Sequence, residues 1–244
     1  MLFYYRSTFF MLICLLISGY ASSKVRSTYA KYDRSPCHSG MSGSSTVKKL
    51  LQCSGVTDIR IGEVGGLLTD HYHPAKRVIN LSERTYHDTS IAAVSVAAHE
   101  VGHVLQNKTS YWPYQIRTAI VPAVNFGSRI AVPLVLIGVL IQGSAVKAGN
   151  SDLGRTLATI GVILYGFSVL FSLVTIPVEI NASKRAKELL LSQGILSEDE
   201  IPAAKAVLSA AAMTYLASLL VSLIYYLRFI AMVTTMFGPR NTRR

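Results

Sequence analysis

Residues 156–179 read TLATIGVILYGFSVLFSLVTIPVE, 23 residues without a charge closed by Glu179. A run of that length matches the ~20 residues that an α-helix needs to cross a bilayer. Three similar runs accompany it: 17 uncharged residues between Arg6 and Lys24, 17 between Arg129 and Lys147, and 22 between Lys205 and Arg228. Half of the 244 residues are hydrophobic and only 15% are charged, against about a quarter charged in a soluble domain. The pattern predicts a mainly α integral-membrane protein with about four transmembrane helices.

The first run carries two readings, the h-region of a cleaved signal peptide or a retained anchor. Only Arg6 precedes it, whereas Lys24, Arg26, Lys31 and Arg34 follow, which favours an anchor. The net charge of +11 is not matched by a basic helix, zinc knuckle or aromatic RNA-binding pattern, so nucleic acid is not the expected partner. Segments 24–129 and 178–205 hold 17 of the 24 lysines and arginines. The positive-inside rule puts both on the cytoplasmic side. The basic tail, with Arg240, Arg243 and Arg244, is the misfit. Cys14, Cys37 and Cys53 form no even framework and read as reduced thiols.

Between the first two runs lies the polar part of the chain. The spacing predicts a short helix over about 46–53, β-prone runs at 56–62, 66–72 and 77–81, and then a helix in which Ile91, Val94, Ala97, Val101 and Val104 form one apolar face. Asp88, Thr89 and Ser90 offer its N-cap. Residues 77–81 are the candidate edge strand for pairing with an extended peptide. Tyr111, Trp112 and Tyr114 suit the headgroup layer, and an interfacial helix is expected over 115–128. Asn150 to Arg155 reads as the loop of a helical hairpin, and Ser197 with Glu200 reads as a capping box for the last helix. Five segments follow: an anchor at 1–23, a small α+β portion at 24–129 with a short sheet, a transmembrane hairpin at 130–177, a helix at 178–205, and a C-terminal transmembrane helix with its tail at 206–244.

The predicted helix carries His99-Glu100-Val101-Gly102-His103. Positions i and i+4 share a helix face, so two imidazoles converge on one Zn²⁺ while Glu100 reaches a water beside it. A catalytic zinc site takes a third protein ligand, for which His71, His73, Glu83, His87, Glu179 and Glu188 are the candidates. Glu179 has the best case. It starts a helical stretch whose next positions, Ala182, Ser183 and Ala186, are small enough to admit the other helix, and two membrane crossings return it to the side of His103. The rivals have plainer roles in a strand, a turn or a solvated face.

The run AAVSVAAHEVGHVLQ, with LTDHYHPAKRVINLS upstream and VTIPVEINASKRA downstream, closely resembles the bacterial YugP-like neutral zinc metallopeptidases over nearly the whole chain. More distantly, HExxH followed after a membrane hairpin by Glu-x-x-Ala is similar to the gluzincin arrangement of the HtpX and CAAX-processing proteases. The resemblance implies a zincin-like catalytic portion in a bacterial cell membrane and one Zn²⁺ per chain held by His99, His103 and Glu179. It also implies a peptide or protein substrate, with Glu100 as general base and then acid. The relatives usually carry aspartate where this chain has Ser183, a departure that touches the hydrogen-bond support of the site and not its ligands. An oxyanion donor is unassigned among Tyr72, Tyr86 and Tyr215. The alternative from another class is a zinc-binding membrane scaffold without proteolysis; transport is disfavoured, because the uncharged runs hold no Asp, Glu, His, Lys or Arg to mark an ion path.

Overall fold

Among the described residues four helices are long and apolar enough to cross a membrane: α1 (Leu2–Tyr32), α5 (Trp112–Ala145), α6 (Asp152–Ser192) and α7 (Ile201–Phe237). The computed structural model describes residues 2–145 and 152–237. The expected hairpin loop therefore lies partly outside the described residues, its 152–155 part being helical, and the basic tail lies outside them altogether. The protein is a mainly α membrane protein with a small three-stranded sheet.

The helices run further than their uncharged windows. At 1.5 Å per residue the 41 residues of α6 measure about 60 Å, twice the ~30 Å of a hydrocarbon core. Glu179 thus continues the spanning helix through Pro177 instead of opening a new one. The expected interfacial helix is likewise the first part of α5, which passes through Pro122 and Pro133 without ending. Proline costs a helix in water about 3 kcal/mol, but neighbouring helices and local adjustment absorb it in membrane helices.

The chain packs as two compact units. One, of residues 1–18, 116–175 and 216–244, is purely helical where described. Small residues bring α5 and α6 together there: a Cβ on Gly161 would meet the Ala131 carbonyl oxygen at 2.7 Å, and Ala131, Val135 and Ala158 are fully buried. That is how helices associate where water supplies no hydrophobic drive. Leu140, Ile163, Leu173 and Leu227 stay exposed on the outside, as a lipid-facing surface requires.

The other unit, of residues 19–115 and 176–215, contains the sheet and α2 (Gly43–Cys53), α3 (Glu83–His87) and α4 (Ile91–Lys108). Strands β1 (Arg60–Val64), β2 (His71–His73) and β3 (Val78–Ser82) lie in the order β1-β3-β2, with β1 parallel and β2 antiparallel to β3. The stretch 77–81 is therefore not an edge strand. It holds the centre, because β1 returns to it by a crossover, and the edges fall to β1 and β2. Ser90 caps α4 by accepting from the Ala93 amide at 3.1 Å. Ile91, Val94, Ala97, Val101 and Val104 are all buried against α2, the sheet and the end of α6. Gly194, at φ +60°, lets the chain leave α6, with the Ile195 and Leu196 amides returning to the Leu190 carbonyl. Glu200 accepts from the Ser197 amide and hydroxyl at 2.9 and 3.1 Å, while α7 itself begins one residue later, at Ile201.

Candidate metal centre

Two helices meet at the HExxH turn. Gly102 of α4 faces Ala182 of α6 so closely that a Cβ there would lie 2.6 Å from the Ala182 carbonyl oxygen. Ala182 and Ala186 are fully buried in this contact. Glycine on one helix and alanines on the other set the approach, and the approach brings Glu179 over the two histidines.

His99 Nε2 lies 3.0 Å and His103 Nε2 3.6 Å from Glu179 Oε2. Among the described residues these three side chains form the one group whose ligand atoms all lie within 4.8 Å of one another. Two zinc bonds of about 2.0–2.1 Å at a tetrahedral angle put ligand atoms about 3.3 Å apart, midway between the two separations. The donor set, two imidazoles and a carboxylate, is also the kind that zinc takes.

The far side of each ring decides whether Nε2 is available. Gln106, fully buried one turn after His103, donates from Nε2 to the Val178 carbonyl at 2.7 Å and to Asn181 Oδ1 at 3.0 Å. Its amide oxygen is thereby turned to His103 Nδ1, 3.0 Å away, and can only accept. The proton of His103 must sit on Nδ1, which leaves the Nε2 lone pair facing Glu179. His99 Nδ1 lies 3.2 Å from Ser183 Oγ, so a single hydroxyl stands behind this ring.

Glu100 is buried beside the three. Burial pushes its carboxyl up to about 7, with Glu179 and Asp70 adding to the rise and the charge of His99 and the backbone amide of Tyr72 opposing it. A divalent cation at the centre would draw it back toward the ionised form. Tyr114 is also buried, its ring 6.2 Å from that of His103.

The rival ligands are engaged elsewhere. His71 pairs through Nδ1 with the Thr69 carbonyl at 2.8 Å and through Nε2 with Asn80 at 3.1 Å. His73 Nδ1 accepts from the Lys76 amide, His87 faces Glu63 at 3.2 Å, and Glu188 faces Lys184 at 3.9 Å. Glu83 lies in the first turn of α3. Arg185 donates to Asn181 Oδ1 and Thr109 Oγ1. Of the tyrosines, Tyr72 accepts from Asn107 Nδ2 at 3.2 Å and Tyr86 packs on His87. Gln106 escapes a reading of the sequence; its one signal is a polar residue recurring at the buried i+3 position after His103.

Residues 7–234 match the family model described as "Putative neutral zinc metallopeptidase". The chain is 42% identical over 222 residues to "Putative membrane protease YugP" of Bacillus subtilis (strain 168), covering 91% of this chain and 94% of that protein. No solved structure matches it.

Proposed function

The chain belongs to the family described as "Putative neutral zinc metallopeptidase", and from that membership we infer that it is a membrane-bound zinc endopeptidase with His99, His103 and Glu179 as metal ligands and Glu100 as general base and acid. The observation that carries this reading is the convergence of both Nε2 atoms on Glu179 Oε2, with Glu100 buried alongside. Zinc, when bound, supplies Lewis acidity at the scissile carbonyl and makes water acidic enough to ionise near neutral pH.

The remaining work belongs to the chain's own groups. Glu100 takes a proton from the attacking water and delivers it to the departing amine, and the nearby Tyr72 backbone favours its ionised form. Strand β2 is an edge of the sheet, and its central residue, Tyr72, has its backbone near Glu100. An extended substrate pairing with β2 would lie across the catalytic group through main-chain bonds, without a demand on its sequence. The excess of Lys and Arg in 24–129 and 178–205 supports a cytoplasmic catalytic side in a bacterial cell membrane.

The test is Glu100→Gln in the full-length protein. Zinc content should stay at one per chain while peptide hydrolysis falls by about 10²–10⁴-fold. Hydrolysis at the native rate would remove Glu100 from the mechanism.

A further inference from the structure

Helices α1 and α7 change from polar to apolar sequence side by side. The uncharged run of α1 ends at Ser23 and is followed by Lys24, Arg26 and Lys31; that of α7 begins at Ala206, directly after Lys205. Between these stretches lies a cleft of about 340 Å³, bordered by Lys24, Thr28 and Lys31 of α1 and by Ala206, Ser209 and Ala210 of α7. Each set recurs at helical spacing and so forms one stripe of its helix, about 10 Å long on α1 and about 6 Å on α7 at 1.5 Å per residue. One wall carries two ammonium groups and a hydroxyl, the other small side chains with Met213 beyond them.

Position and charge together select the occupant. The polar layer of a bilayer leaflet is roughly 5–8 Å deep, so a cleft that starts at the charge boundary spans headgroups and the first methylenes. Among the described residues no carboxylate borders it. Asp33 is bound to Arg84, and Glu200 to the His38 amide and Ser197, so neither is committed to the lysines. The ring of Tyr32 lies 4.9 Å from Lys31 Nζ and steadies that side chain. Behind the cleft Tyr29 packs on Val207 and on Ala92 of the HExxH helix, so its floor is firm.

We propose that this cleft binds one anionic phospholipid, its phosphate between Lys24 and Lys31 beside Thr28 and its first methylenes along Ala206 and Ala210. Basic clefts between helices at the charged membrane face recognise such headgroups through this pairing of charge with an apolar wall. The site is separate from the metal centre and does not rest on peptidase activity.

The test is native mass spectrometry of the full chain released from micelles holding phosphatidylglycerol and phosphatidylcholine of the same acyl chains in equal amounts. One phosphatidylglycerol should be retained in preference to phosphatidylcholine. Lys24→Gln/Lys31→Gln should lower that population about tenfold or more, and Lys48→Gln/Lys76→Gln, exposed lysines of the same unit, should leave it unchanged. Ser209→Trp should lower it with every charge kept, since the indole fills the cleft. Circular dichroism melts check that the variants fold; a variant that does not is replaced by Thr28→Leu. Equal retention of both lipids, or full retention in both cleft variants, overturns the proposal. So does displacement of the lipid by millimolar inorganic phosphate but not by chloride of equal ionic strength, which would assign the site to free phosphate. A dimer abolished by Ser209→Trp would assign it to a second copy.

Discussion

His103 and His99 sit one turn apart on α4, yet the groups behind them differ in kind. Behind His103 stands Gln106, fully buried and fixed by two acceptors from α6, so its amide oxygen has one orientation and the ring one tautomer. Behind His99 stands Ser183, a single hydroxyl that rotates and can donate as well as accept. One ring is dictated to; the other is permitted. Both still present Nε2 to the same oxygen of Glu179.

The largest expected effect comes from removing what the two rings share. Glu179→Ala should leave the purified protein with little or no zinc, while His71→Ala and His73→Ala, whose rings bond within the sheet and its turn, keep one per chain. Metal analysis after dialysis against a weak chelator reads the difference. A full zinc load in Glu179→Ala would move the third ligand elsewhere.

A smaller effect should follow from Gln106→Met, which keeps the volume and loses the acceptor. Supporting groups of this kind are worth about 10–100-fold in metal affinity, and the upper part of that range is expected because the Val178 carbonyl and Asn181 also lose a donor. Competition with a chromophoric zinc chelator measures it. An unchanged affinity would mean that the buried packing around His103 orients the ring without its hydrogen bond.

The same contrast explains how far the sequence could be read. The α4 half is legible because its rules are local: Ser90 caps, the apolar face recurs at helical spacing, and i and i+4 place both imidazoles on one side. Glu179 is legible because small residues at 182, 183 and 186 announce a close helix contact, which Gly102 completes. Gln106 is not, since its partners lie 72 and 75 residues away and only the packed pair of helices brings them to it. The order β1-β3-β2 is hidden for a related reason: strand propensity marks 77–81 but does not say that β1 crosses over to flank it. The boundary expected between 177 and 178 disappears because α6 runs on through Pro177, as helices can where neighbouring groups take up the freed carbonyl.

The weaker support at Ser183 gives the finest test. Ser183→Ala removes the hydroxyl beside His99 Nδ1 and should lower zinc affinity by about tenfold, the bottom of the range for such contacts, since water can replace a hydroxyl at a ring that is partly exposed. Ser183→Asp should act the other way: a carboxylate only accepts, so it fixes the proton on Nδ1 by a charge-assisted bond and makes His99 resemble His103. A gain of a few fold is expected in the same chelator assay, with Glu179 and the alanines of α6 untouched. If Ser183→Asp loosens zinc as much as Ser183→Ala does, the hydroxyl serves His99 by donating or by fit, and the difference between the two rings is one of packing and not of tautomer.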